Sequence, residues 1–402
     1  MKIKEKSTEE KTIRKYLLRL RQPRIKKKEN RYYIRGYKGT EVIIRTDHEI
    51  LKRIAYRRTC VKQVCIPGRY ETETKYIYTR KENRRSRPVI VPGIPAGSET
   101  AMPRAVRTVL HALSYGGIEV EASRKLADLK KMDPMRIFYR TLDAEIYNGD
   151  YKVPIRLFFP TEEDMENGAA SGKKPPVILF FHGGGWVTES VENYQRVCAR
   201  MAQSTGQIVA SVEYRLAPEY RFPVGLMDCY AAAKTFYTNR FLLNTDPDRI
   251  TIMGDSAGGN LAAAVCMMAR DRGEFFPKKQ ILIYPALNNC YTEKSPFESV
   301  KTNGTGYLIT AEKMEDYLKL YESCPEDRRN PYFAPILEKN LRNMPDTLIL
   351  TAEFDPLRDE GEEFGKKLKE AGNRVEVHRI AGAFHGYFAL GIKFLHVQES
   401  FA

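Results

Sequence analysis

Ser256 stands in Gly254-Asp255-Ser256-Ala257-Gly258, directly after the apolar run Ile250-Thr251-Ile252-Met253 and before the small, helix-compatible residues Gly259 to Val265. This context predicts a strand, a tight turn and a helix, with the serine at the apex. The flanking glycines let strand and helix approach, the hydroxyl is pushed out over the end of a sheet, and the Ala257 N–H is left free at a helix N-terminus. A serine hydroxyl is a poor nucleophile at neutral pH and needs a base. Of six histidines, His385 fits best, because it follows the strand predicted over Val375 to Ile380 by a short loop, Ala381 to Phe384. That position is the C-terminal edge of a sheet, where open parallel sheets place ligands. His378 falls inside the same strand, and His182 reads as a residue that holds its own loop in shape.

The base in turn needs a carboxylate to set its tautomer and stabilise the imidazolium. The strand ending on Leu348-Ile349-Leu350-Thr351 leads into a loop with two aspartates, and Asp355 lies nearer the strand end. Asp359 is the alternative acid, although its place near the next helix suits a cap. Attack on a carbonyl builds negative charge on oxygen, so aligned N–H donors are required. The glycine run of His182-Gly183-Gly184-Gly185-Trp186 follows the buried run Val177 to Phe181, and it makes Gly184 and Gly185, with Ala257, the expected oxyanion donors. Trp186 and Tyr307 are candidates for the acyl-pocket wall, with an ordinary core role equally open. Neither a metal nor an organic cofactor is required by this chemistry.

The remaining chain must position these residues. Predicted strands at Tyr139 to Tyr147, Val153 to Phe159, 177–181, Ile208 to Val212, 250–253, Gln280 to Tyr284, Thr347 to Thr351 and 375–380 alternate, from 189 onward, with helical stretches. The helices span Glu189 to Ser204, Leu226 to Tyr237, Asn260 to Arg270 and Gly361 to Ala371. This rhythm predicts an α/β fold with a mostly parallel central sheet and helices on both faces. Residues 290–345 interrupt it as a polar, proline-punctuated insertion with one helix near Ala311 to Tyr321. Upstream, Pro103 opens a predicted helix with Val106, Val109, Leu110 and Leu113 on one face, and a second helix spans about Glu121 to Met132.

Four ordered motifs, namely 182–186, 254–259, Asp355-Pro356-Leu357-Arg358-Asp359 and Phe384-His385-Gly386, together resemble the hormone-sensitive lipase family of α/β-hydrolase esterases. Tyr214-Arg215-Leu216-Ala217-Pro218-Glu219 and Phe222-Pro223 are similar to that family's segment after its fourth strand. The resemblance covers about residues 100–400. It implies a serine esterase with a helical cap built from the N-terminal flank, residues 96–135, and from the insertion at about 290–345, on a catalytic domain of residues 136–402. The implied reaction hydrolyses short- to medium-chain acyl esters through an acyl-serine. Acyl transfer to an alcohol by the same residues is the alternative within enzymes. Only a short helix from about Ile392 is expected after His385.

Residues 1–95 have no counterpart in that pattern. The whole chain carries a formal charge of +15 over 402 residues, yet its first hundred residues alone carry +17. The catalytic part is therefore near neutral and need not take an anionic substrate. A basic amphipathic helix is predicted from Ser7 to Leu20, a strand at Val42 to Ile44 and a helix after Asp47. The arginines, lysines and tyrosines of this extension also suit a surface that tracks phosphates. Nucleic acid or an anionic membrane thus stands as an alternative partner, with the hydrolase fold as scaffold; a small folded appendage is the simpler expectation. Seven scattered cysteines lack the paired spacing of a zinc site, Cys60 and Cys65 being the nearest to a half-site. With a charged start and no apolar run near membrane-spanning length, the expected location is cytoplasmic.

Overall fold

A computed structural model of the chain describes residues 24–28, 31–35, 41–45, 111, 114, 119–128, 131, 139–167, 175–238, 243 and 245–390. The chain divides into two compact units, Met1–Pro95 and Ala96–Ala402. In the first, β1 (Arg24–Lys28), β2 (Arg31–Arg35) and β3 (Glu41–Arg45) form an antiparallel sheet in that order. The last of these contains the expected strand at 42–44. The helices expected at 7–20 and after Asp47, most of the one after Pro103, and the one from Ile392 lie outside the described residues; residues 111 and 114 are helical.

The second unit begins, among the described elements, with α1 (Val120–Asp128), within the helix expected over about Glu121 to Met132, residues 129, 130 and 132 of which lie outside the described residues. A hairpin follows, β4 (Thr141–Asn148) and β5 (Tyr151–Phe158), turning at Gly149, whose φ of +60° a side chain would strain. The short α2 (Glu162–Asn167) was not foreseen. Then come β6 (Val177–Phe181), α3 (Val191–Thr205), β7 (Ile208–Val212), α4 (Val224–Thr238), β8 (Ile250–Asp255), α5 (Ala257–Arg272) and β9 (Lys279–Ile283). The insertion carries α6 (Glu298–Thr302) and α7 (Ala311–Tyr321), and the unit closes with β10 (Asp346–Phe354), α8 (Arg358–Glu370) and β11 (Val375–Phe384). Helix α3 starts where Ser190 Oγ accepts the Asn193 N–H, and it stops at Gly206 in the left-handed conformation.

The eight strands of this unit pair in the order β11-β10-β9-β8-β6-β7-β5-β4, and β5 alone runs against the rest. All five residues of β6 and of β7 are buried, as a parallel strand covered on both faces requires. The period of two along β6 sorts them: Val177, Leu179 and Phe181 pack with α4, α5 and α8, whereas Ile178 and Phe180 pack with α3. Strand order reverses at β6, whose neighbours β7 and β8 come later in the chain on opposite sides. The crevice at the carboxyl end of such a switch point is where open α/β sheets bind ligands.

The start of the insertion and the segment before it are fastened to α8 through Glu360. Its buried Oε1 accepts hydrogen bonds from Leu287 N–H (2.7 Å), Asn288 N–H (3.3 Å) and Tyr291 O–H (2.7 Å). Burial pushes this carboxyl up to about 8. A carboxyl whose value is higher folded than unfolded stabilises the fold fully below its unfolded value, near 4.5, and loses that contribution as pH rises toward 8. Stability is therefore expected to fall by a few kcal/mol across that window. Glu360→Gln should flatten the fall; denaturation midpoints at pH 5 and pH 8 measure it.

Candidate active site

Ser256 joins β8 to α5 with φ 54° and ψ −118°, a region that costs a non-glycine residue roughly 1–3 kcal/mol. The surrounding backbone over-determines it. Ser256 N–H donates to Ile283 O at 2.9 Å, and Ser256 O accepts the N–H groups of Asn260 and Ala286, each at 3.1 Å. A Cβ on Gly258 would come within 2.6 Å of His182 O, and one on Gly254 within 2.8 Å of Gly259 N. Only hydrogen fits at either place, which is the physical content of the glycine spacing. Ala257 is the first residue of α5, so its N–H has no partner within the helix.

His385 lies at the end of β11 and Asp355 just beyond β10. Ser256 Oγ is 2.9 Å from His385 Nε2, and His385 Nδ1 is 2.7 Å from Asp355 Oδ2. A carboxylate only accepts, so Nδ1 carries the proton and Nε2 is free to accept the serine's. Asp355 is fully buried, and its Oδ1 accepts the Leu357 N–H at 2.8 Å. One detail departs from expectation: residues 381–384 are not a loop but continue β11, so His385 leaves the strand directly. The register against β10 shifts between Ala352 and Phe354, and Glu353 Oε2 accepts the Gly382 N–H at 2.6 Å inside that irregularity. The bulge re-aims the strand end toward Ser256.

Asp359 takes no part in this chain of bonds, nor does it cap α8, whose N-cap position is Leu357. Its Oδ2 accepts the Ser299 N–H at 2.7 Å and so ties α6 to α8. His378 sits within β11 opposite Leu350, 3.7 Å from Glu376. His182 holds its loop: Nδ1 lies 2.8 Å from Gly183 O, its ring stacks on Tyr214, and Tyr214 O–H donates to His182 O.

The residue that sequence spacing did not single out is Asp255, beside the serine. Its Oδ1 accepts the Gly183 N–H at 2.9 Å, and its Oδ2 accepts the hydroxyls of Tyr194 (2.8 Å) and Tyr284 (3.2 Å). Gly183 N–H is thereby occupied, while those of Gly184, Gly185 and Ala257 donate to no acceptor among the described residues. Burial pushes the Asp255 carboxyl up to about 6, against the pull of its three donors; at pH 8 it is ionised and its bonds are charge-assisted. Asp255→Asn is expected to lower kcat/KM at pH 8 by about 10–100-fold, the equivalent of one or two such bonds. The signal for it was a charged residue inside an otherwise small and apolar run.

Trp186 is buried among core side chains and stacks on Tyr321, with centroids 4.5 Å apart. Tyr307, in the insertion, stacks on Phe354 at 5.2 Å, beside the loop that carries Asp355. The flank and the insertion both reach the glycine loop. Arg124 of α1 donates to both Glu219 carboxylate oxygens and to the carbonyls of Val187 and Ala217, and its guanidinium holds Glu219 down at about 2. Arg215 forms a forked pair with buried Asp228, which also accepts from Asn148 of β4. Among the described residues no group of three or more His, Cys, Asp or Glu side chains could hold a metal ion, and no helix is long and apolar enough to cross a membrane.

Comparison with known proteins identifies the fold and the family. A family described as alpha/beta hydrolase fold matches residues 178–389. An arylesterase of Saccharolobus solfataricus is 33% identical over 271 residues, 67% of this chain and 83% of that one. An ethyl acetate hydrolase of Pseudomonas putida is 34% identical over 243 residues, 60% of this chain and 73% of the other. The solved esterase of Pyrobaculum calidifontis superposes with a TM-score of 0.67 at 36% identity, covering 75% of this chain and 96% of that structure. The chain belongs to the hormone-sensitive lipase family of α/β hydrolases, and it is a carboxylic ester hydrolase.

Proposed function

We propose that Ser256 is the nucleophile of this esterase, His385 its general base and then acid, and Asp355 the group that orients His385. The observation that carries this is the unbroken chain of hydrogen bonds from Ser256 Oγ through the imidazole to Asp355, at 2.9 and 2.7 Å. Ser256 Oγ attacks the ester carbonyl as its proton passes to His385 Nε2. The N–H groups of Gly184, Gly185 and Ala257 receive the oxyanion, and the tetrahedral intermediate collapses as the imidazolium protonates the leaving alkoxide. Water, deprotonated by the same imidazole, then attacks the acyl-serine; addition and a second collapse release the acid and restore Ser256.

The acyl range we propose is short to medium. It is supported by the relative that is an ethyl acetate hydrolase and by the aromatic packing of Trp186 and Tyr307 around the loops that carry the site. A series of 4-nitrophenyl esters from acetate to palmitate tests it: kcat/KM should peak at or below about eight carbons, and a maximum at palmitate would overturn it. We take residues 1–95 as an appendage. The cap in this proposal comprises 96–135 and about 290–345, on a catalytic domain of residues 136–402. Cys198, Cys229, Cys266, Cys290 and Cys324 are free thiols, which supports a reducing, cytoplasmic setting.

A further inference from the structure

The glycine loop is held from two directions. On the sheet side Asp255, His182 and Tyr214 grip Gly183 and the His182 carbonyl. On the other side lies α7, the longer helix of the insertion. Its N-cap Thr310 accepts the Lys313 N–H at 3.1 Å, and it carries Tyr317 and Tyr321 one turn apart, on one face of the helix. Tyr321 stacks flat on Trp186, with 5° between the rings, and its carbonyl accepts the Phe222 N–H at 2.8 Å. Tyr317 packs on Gly185 itself: a Cβ added there would lie 2.5 Å from the ring atoms Cε1 and Cγ. Thr188, next to that loop, donates its Oγ1 hydrogen to Gly184 O at 3.0 Å.

An ester in this site has its carbonyl oxygen about 3 Å from the Gly185 N–H. Its leaving oxygen must come within reach of His385 Nε2. On the histidine side the neighbours are Leu308, 3.7 Å from where a Cβ on Gly386 would sit, and Tyr307 against Phe354. The alcohol portion therefore points that way. Tyr317 lies on the glycine-loop side, against the residue whose N–H faces the carbonyl oxygen.

We propose that Tyr317 is a specificity-determining residue: its ring limits bulk at the acyl α-carbon, admitting unbranched acyl groups and excluding quaternary ones. This inference rests on the esterase roles given to Ser256 and His385. The test compares 4-nitrophenyl acetate with 4-nitrophenyl pivalate, which share a leaving group and differ only at that carbon. Tyr317→Ala should raise the pivalate-to-acetate ratio of kcat/KM at least tenfold, and Tyr317→Trp should lower it. Tyr317→Phe, which keeps the ring, should leave the ratio within twofold. If the alanine variant does not fold, Tyr317→Leu takes its place with the same expected direction. A ratio unmoved in the alanine or leucine variant, and in the tryptophan variant, overturns the inference. Ser256→Ala runs beside them: if it keeps turning over acetate, the esterase assignment itself fails, whereas an inactive Ser256→Ala with an unmoved ratio sinks only the role of Tyr317.

Discussion

Ser256→Ala should lower kcat for a short 4-nitrophenyl ester by on the order of 10⁶, leaving only what binding and the oxyanion donors supply. The size of the effect follows from the proposed chemistry: without Oγ no acyl-enzyme forms, and His385 Nε2, 2.9 Å from that oxygen, has no proton to accept. The substitution should leave the fold intact. The backbone at residue 256 is held by the Ile283 carbonyl and by the amides of Asn260 and Ala286, none of which involves the side chain. Unchanged circular dichroism with lost turnover is the expected pair of results. Equal loss of both would point to a structural role instead.

Asp355→Asn should cost about 10⁴ in kcat, the magnitude expected when the histidine is held in the wrong tautomer. The local bonding gives the mechanism. Asp355 Oδ1 accepts the Leu357 N–H at 2.8 Å, so an asparagine must place its carbonyl oxygen there and turn its amide toward His385 Nδ1. Nδ1 then becomes the acceptor, the ring proton moves to Nε2, and the imidazole can no longer take a proton from Ser256. Raising the pH should restore little activity, because the fault lies in the tautomer. A measured loss under tenfold across the pH profile would contradict this role for Asp355.

Much of the catalytic unit was legible because parallel strands buried on both faces read as continuous apolar runs. Val177 to Phe181 and Ile208 to Val212 came with the observed boundaries, and so did the helix at Ala311 to Tyr321. Glycine spacing around Ser256 was legible for a steric reason, since both neighbours face backbone at distances no Cβ tolerates. What local pattern could not show was the bulge that carries β11 through Phe384, because it depends on pairing with β10 and on Glu353, 29 residues away from Gly382. Asp255 was missed for a similar reason: its meaning comes from Tyr194 and Tyr284, distant in sequence by 61 and 29 residues. Local sequence does not mark Tyr317 and Tyr321 either, because their meaning comes from α7 lying on Gly185 and Trp186. Asp359 was misassigned as a cap because proximity to a helix start, without the N-cap geometry, does not identify the capping side chain.

In the proposed chemistry the covalent acyl-enzyme forms on Ser256. Reaction of the full chain with diethyl 4-nitrophenyl phosphate, followed by mass spectrometry of the digested protein, tests it most directly. One diethylphosphoryl group per chain, located on Ser256 and appearing in step with loss of esterase activity, is the predicted result. Complete modification at another residue, or undiminished turnover once Ser256 is blocked, would contradict it.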